Sequence, residues 1–241
     1  MTGFAKSDIG KAREINQDFY YISPPEDKIQ LFILADGMGG YNGGEIASKL
    51  ATEATVEYIK NKFNEIEPNK DEILNMLKNS IEYANTAVYE YSKKDETLQG
   101  MGTTLEVCFI YNNKVYLGHV GDSRIYLIRG ESARKLTKDH SYVQKLVDDK
   151  KITREEAKIH PKKNMLLKAL GCTGEVEPDI RARNLEKNDV ILMCSDGLTN
   201  MVADEAIYEV IKQDAKFAPE KLVEMANNAG GYDNITAIII I

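Results

Sequence analysis

The chain lacks the residues that several common site chemistries require. Its three cysteines, Cys108, Cys172 and Cys194, are far apart and odd in number, and no CxxC pair exists. That excludes a disulfide framework and a cysteine zinc site, and fits reduced thiols in a cytoplasmic protein. No HExxH, Gly-x-Ser-x-Gly or GxGxxG occurs, and the glycines between Gly39 and Gly44 lack the Lys-Ser/Thr ending of a Walker loop. The three histidines, His119, His140 and His160, are scattered, as structural or surface residues are. Blocks of one charge sign are also missing. Lys and Arg number 31 against 38 Asp and Glu, a net charge of −7 mixed along the chain. Nucleic-acid backbones reward clustered Lys and Arg, so no nucleic-acid partner is expected. Met1 to Gly10 has no apolar signal core, and runs such as Ala237 to Ile241 are too short to span a bilayer, so no membrane insertion is expected.

What is present suffices for one substantial core. The 241 residues are 43% hydrophobic and 29% charged, ordinary values for a globular domain. Strand-like runs cover Asp18 to Ser23 and Ile29 to Ala35, with a turn at Pro24 to Asp27. A helical period runs from Gly44 to Phe63, and a second from Asn69 to Lys93. Three strands follow, Thr103 to Ile110, Lys114 to Val120 and Ser123 to Arg129, spaced so closely that an antiparallel meander is predicted. The polar stretch 137–170 suits two short helices, Tyr142 to Asp148 and Arg154 to Ile159. Strands return at Ile180 to Leu185 and Val190 to Cys194, then helices at Asp204 to Gln213 and Pro219 to Ala229, then a continuous apolar strand, Ile235 to Ile241. Antiparallel strands with segregated helices, and no repeat or linker, predict a single α+β domain of antiparallel sheets covered by helices.

Five aspartates stand out, each in a short cassette of Gly and small polar residues. They are Asp18 in Asn16-Gln17-Asp18, Asp36 in Asp36-Gly37-Met38-Gly39-Gly40, Asp122 in Gly121-Asp122-Ser123-Arg124, Asp196 in Ser195-Asp196-Gly197, and Asp233 in Asp233-Asn234-Ile235-Thr236. Any one alone reads as a turn residue. Together, at strand boundaries, they suit a carboxylate cluster, and clustered carboxylates repel each other unless a cation neutralises them. Hard oxygen ligands suit Mg²⁺ or Mn²⁺ rather than zinc. Glycine lets the main chain approach an ion, so the Gly37 carbonyl is a further candidate ligand. Arg13 by itself reads as a surface ion-pair residue.

Eight motifs in order carry a resemblance to a known family. They are Gly10-x-x-Arg13-x-x-Asn16-Gln17-Asp18, Asp36-Gly37-Met38-Gly39-Gly40, Gly102-Thr103-Thr104, Gly121-Asp122-Ser123-Arg124, Leu136-Thr137-x-Asp139-His140-Ser141, His160-Pro161, Ser195-Asp196-Gly197-Leu198 and Asp233-Asn234-Ile235-Thr236. Across essentially the whole chain they resemble the metal-dependent serine/threonine protein phosphatases of type 2C, in their compact bacterial form. The resemblance implies a four-layer αββα sandwich of two antiparallel sheets flanked by helices, with a flap over about 139–171. It implies two Mn²⁺ or Mg²⁺ ions, with Asp36 bridging both, the Gly37 carbonyl on one, Asp196 and Asp233 on the other, and Asp18 acting through water. A third, weaker ion would involve Asp122 with Asp196. Arg13 matches the arginine that grips the substrate phosphate. Phosphoserine and phosphothreonine proteins are the implied substrates, a serine/threonine kinase the functional counterpart, and a cytoplasmic monomer the working state. Attack by a hydroxide held between the ions would need no covalent intermediate.

The chain departs from the family pattern in two places. Eukaryotic relatives have a histidine where this chain has Met38, and many bacterial members have one where it has Tyr41. The leaving-group proton donor stays open between metal-bound water, Tyr41 and a flap group such as His140. A glycine often precedes the flap's Ile-Thr pair, whereas here Lys150-Lys151 precede Ile152-Thr153, changing the turn and adding positive charge. Other functions fit less well. A phosphatase dedicated to one regulator, such as an anti-anti-sigma factor, would carry sensor or membrane segments. A silent binding module would have lost metal aspartates, and a two-metal nuclease would not be acidic.

Overall fold

The structure is a computed structural model that describes residues 1–39 and 43–241. Two antiparallel sheets stack face to face. One runs in the order β1 (Gly3–Asp8), β11 (Ile235–Ile240), β10 (Val190–Cys194), β7 (Arg124–Arg129) and β8 (Ser132–Lys135). The other runs β2 (Asp18–Ile22), β3 (Gln30–Met38), β5 (Leu105–Tyr111), β6 (Lys114–Val120) and β9 (Asp179–Asn184), with β4 (Gly102–Thr103) paired to the end of β3. Helices α1 (Gly44–Phe63) and α2 (Lys70–Ser92) cover the second sheet, and α6 (Asp204–Gln213) and α7 (Ala218–Asn228) cover the first. The α+β sandwich of two antiparallel sheets expected from the sequence is the architecture found.

Side-chain alternation builds the layers. On β3, Leu31, Ile33 and Ala35 enter the core shared with α1 and α2, while Phe32 and Leu34 enter the core between the sheets. On β11, Ile235, Ala237 and Ile239 face α6 and α7, while Ile238 and Ile240 meet the opposite sheet. Each fully buried Leu or Ile contributes about 1.5–3 kcal/mol, so the strands are held from both faces. The same parity carries Asp36 on β3 and Thr236 on β11 toward the space between the sheets. There the apolar filling gives way to polar side chains.

Several sequence expectations are corrected. The meander holds only for β5 and β6. β7 pairs with β10 and β8, in the other sheet. The chain crosses between sheets at Gly121, whose φ of +121° and tight packing on Thr104 favour glycine. Asp122 therefore lies at a sheet-to-sheet crossing and not in a hairpin turn. Likewise Asp36 and Gly37 are inside β3, because β4 supplies partners, Gly37 to Thr103 and Met38 to Gly102. β1, β8 and the short α5 (Asp196–Thr199) were not expected; β1 and β8 are edge strands with little apolar pattern. Cys108 and Cys194 are buried free thiols and Cys172 is exposed.

Residues 139–171 carry α3 (Tyr142–Asp148) and α4 (Arg154–Ile159), neither with a buried residue. Isolated bridges Ser141 to Leu166 and Thr103 to Leu170 fasten the segment beside β4. Lys150, in the Lys-Lys pair that precedes Ile152-Thr153, adopts φ +56°. That left-handed conformation costs a lysine about 1–2 kcal/mol. Among the described residues no helix is long and apolar enough to cross a membrane.

Candidate active site

The five aspartates meet because antiparallel pairing puts their strand ends on one side. Asp18 opens β2 and pairs in register with Asp36 near the end of β3. β10 ends just before Asp196 and β11 begins just after Asp233, and these two strands are antiparallel neighbours. Asp122 joins them at the crossing from β6 to β7. A cleft of about 590 Å³ opens at this end, with Arg13, Asp36, Gly37, Asp122, Asp196 and Asp233 on its walls. Gln17 and Thr104 extend the wall, and Asn164 and Leu166 reach it from the 139–171 segment.

Asp18 stands behind this wall, 7% exposed. Its Oδ2 accepts hydrogen bonds from Ser195 Oγ at 2.8 Å and Thr236 Oγ1 at 2.6 Å. Its Oδ1 has no partner among the described residues. An orphaned buried carboxylate oxygen is costly and points to a missing cation or water. Burial raises the Asp18 carboxyl to about 7, and the charges of Asp196 and Asp233 add to the effect. Burial also pushes Asp36 well above the carboxylate range, followed by repulsion from Asp18, Asp196, Asp122 and Asp233. Asp122 rises for the same reasons, burial first and Asp196 second. Burial and Asp233 lift Asp196 to about 6 against the pull of Arg124. A divalent cation among these oxygens relieves that crowding, so the donor set fits Mg²⁺ or Mn²⁺. Among the described residues no three His, Cys, Asp or Glu side chains by themselves form a cage for one ion. An ion here would draw part of its shell from main-chain carbonyls and water, as hard divalent ions do.

Arg13 sits at the cleft mouth, its side chain 51% exposed, and forks onto Asp233. Nη2 donates to Oδ2 at 2.9 Å, and Nε lies 2.9 Å from Oδ1. That hydrogen bond to Asp233 raises the guanidinium pKa further, so the charge is permanent. The loop bearing Arg13 is clasped by Asn234. Its Oδ1 accepts from the Gln17 N–H at 2.9 Å, and its Nδ2 donates to the carbonyls of Ile9 and Ile15 at 2.9 and 3.0 Å. Asn234, Ser195, Thr236 and Thr104 were not singled out from the sequence, although each adjoins or lies within an aspartate or Gly-Thr cassette that was.

The candidate proton donors fare differently. His140 is not on the cleft wall. Its Nδ1 accepts from the Gly121 N–H at 3.2 Å, and its Nε2 lies 3.5 Å from Asp179. Burial, then the neighbouring His119, lower its imidazole to about 4, so it is neutral and aimed elsewhere. Met38 lines the cleft but has no proton to give. Tyr41 lies outside the described residues.

Comparison with known proteins matches the same stretch. The family model "Protein phosphatase 2C" aligns to residues 10–233. The chain is 39% identical over 237 residues to "Protein phosphatase PhpP" of Streptococcus pneumoniae, covering 97% of this chain and 94% of that one. It is 36% identical over 237 residues to "Serine/threonine phosphatase stp" of Listeria innocua, covering 98% and 93%. Its fold superimposes on the crystal structure of the Mycobacterium tuberculosis serine/threonine phosphatase PstP/Ppp with a TM-score of 0.87 at 36% identity, covering 98% and 96%. The catalytic domain of PstP in complex with two manganese ions gives a TM-score of 0.85 at 36% identity, covering 98% and 96%.

Proposed function

This chain belongs to the protein phosphatase 2C family, and from that premise we propose that it hydrolyses phosphoserine and phosphothreonine monoesters in proteins with divalent ions, which its clustered carboxylates would hold and which would supply the activated water. It is an enzyme, a protein serine/threonine phosphatase. The observation that carries the mechanism is the convergence of Asp36, Asp122, Asp196 and Asp233 on one cleft with Arg13 at its mouth. In this reading Asp36, the Gly37 carbonyl, Asp196 and Asp233 would together hold two Mn²⁺ or Mg²⁺ ions, with Asp36 shared between them. Asp18 acts from behind through water, and Asp122 with Asp196 offers a third, weaker site. The relative solved with two manganese ions supports the two-ion count. When bound, such ions lower the pKa of a water between them and offset phosphoryl charge.

The chain's own groups do the rest. Arg13 presents planar donors that match two phosphoryl oxygens, better than a lysine would. It holds Asp233 with the same donors, so phosphate and Asp233 compete for one guanidinium. The whole of 1–241 acts as one catalytic domain, with about 139–171 as a flap that meets substrate through Asn164 and Leu166. A serine/threonine kinase is the functional counterpart, and a cytoplasmic monomer the working state.

Phosphate release from a phosphothreonine peptide is expected with Mn²⁺ and lost after exhaustive chelation; full activity in chelator would refute the mechanism. Arg13→Ala is expected to raise KM for that peptide by about tenfold to a hundredfold, the worth of a charge-assisted pair, with a smaller change in kcat. Unchanged constants would leave Arg13 with only its ion pair to Asp233.

A further inference from the structure

One buried titratable pair behind the cleft has no part in this mechanism. Glu106 on β5 and His119 on β6 are register partners, and their side chains are 0% and 2% exposed. His119 Nε2 lies 3.0 Å from the Lys138 carbonyl oxygen, and Nδ1 lies 2.9 Å from Glu106 Oε1. A carbonyl oxygen only accepts, so Nε2 carries a hydrogen. With no proton between Nδ1 and Oε1, two lone pairs would face each other in a buried site. One proton therefore lies between them, and the pair as a whole is uncharged. Burial raises Glu106 well above its usual range and lowers His119, and both directions leave that proton on Glu106. The charged and titratable groups facing the pair are His140, its ring tilted 4.6 Å from that of His119, then Asp179, Asp18, Asp122, Cys108, Cys194, and Asp139, which is held by Arg124 and Lys135.

The second oxygen of Glu106 leads to the cleft. Thr104 Oγ1 donates to Glu106 Oε2 at 3.2 Å and accepts from the Asp36 N–H at 3.0 Å. The Thr104 N–H in turn donates to the Asp36 carbonyl at 2.9 Å. Thr104 Oγ1 also lies 3.1 Å from Ser123 Oγ, next to Asp122. Thr104, anchored by the Glu106 carboxyl group, thus ties the strand end bearing Asp36 to the crossing bearing Asp122.

We infer that Glu106, as a neutral acid sharing its proton with His119, is a positioning residue that sets where Asp36 and Asp122 stand relative to the ions. The inference rests on the reading of Asp36 as a metal ligand. A neutral group suits the place, because an ionised Glu106 would add another negative charge behind carboxylates that already repel one another.

Two substitutions separate the possibilities, read by calorimetric Mn²⁺ titration and peptide kinetics. Glu106→Gln retains the hydrogen bonds, its amide nitrogen donating to Nδ1 and its oxygen accepting from Thr104. Glu106→Leu keeps the bulk and none of the bonds. Since partners behind a metal ligand typically carry about tenfold to a hundredfold, the leucine variant should lose that much in both Mn²⁺ affinity and kcat at unchanged KM, and the glutamine variant should stay within about twofold of wild type. A folded leucine variant with wild-type affinity and kcat, or a glutamine variant equally impaired, overturns the inference. If the leucine variant does not fold, ¹⁵N NMR of the wild-type imidazoles decides. His119 should show a protonated Nε2 and an accepting Nδ1 that do not titrate near neutrality; an imidazolium or a free titration overturns the inference. Wild type that binds no Mn²⁺ at all would instead remove the metal-ligand reading of Asp36, and this inference with it.

Discussion

Asp36→Asn is expected to fold, to bind Mn²⁺ poorly, and to release phosphate at least about a thousandfold more slowly, a barrier increase of roughly 4 kcal/mol. The side chain would touch both ions in the proposed site, so losing its charge weakens both. The backbone frame is untouched, because the Asp36 N–H and carbonyl bind Thr104 and Thr103 through main-chain atoms of residue 36. Stability should move the other way. Burial and four neighbouring carboxylates raise the Asp36 pKa, so this carboxyl takes stability from the fold as pH rises above the ordinary carboxylate range. Removing that carboxyl should leave the melting temperature in chelator equal or higher. Turnover, Mn²⁺ calorimetry and melting in chelator check the three parts. A folded variant with near wild-type turnover contradicts the assignment, and a lower melting temperature contradicts the crowding argument.

Gly197→Ala is expected to destabilise the protein by about 1–3 kcal/mol, the range for overpacking, and to weaken Mn²⁺ binding by roughly tenfold. Helix propensity alone points the opposite way, since alanine is favoured over glycine by about 1 kcal/mol in a helix. Space decides the sign. A Cβ on Gly197 would overlap the Asn234 carbonyl oxygen and come within 3.4 Å of the Asp233 Cβ. Asn234 cannot retreat freely, because its side chain clasps Ile9, Ile15 and Gln17. The added methyl would therefore push apart the segments that carry Asp196 and Asp233. Urea unfolding in chelator and Mn²⁺ titration test both effects. Unchanged stability with unchanged affinity would show that the two segments are looser than their packing implies.

The legible parts of this molecule were those that local pattern dictates. Helices α1 and α2 follow from apolar residues three and four apart, and β6 and β10 from compact apolar runs. The aspartate cassettes were visible because glycine and small polar residues mark the strand ends. What stayed hidden depends on distant partners. Nothing between Val120 and Arg124 says which sheet receives β7, because that choice is made by β10, some 65 residues later. Asp36 looked like the start of a loop because its strand partner β4 is only two residues long. His140 looked available for proton transfer, yet Gly121 and Asp179 engage its ring nitrogens. The Arg13 fork onto Asp233 joins residues 220 positions apart. Periodicity reports which face of an element is apolar and is silent on where a polar side chain finds its partner.

The placement of β11 bears on biosynthesis. This strand comes after every other element in the chain, yet it is an inner strand, flanked by β1 and β10. Until residues 235–240 have left the ribosome, β1 has no neighbour in its sheet and Asp233 has no fixed position beside Asp196. A nascent or prematurely stopped chain would hold Asp18, Asp36, Asp122 and Asp196 without completing their arrangement. On the proposed reading of the site, phosphate release is expected only once β11 has paired, which a chain stopped before Ile235 would test.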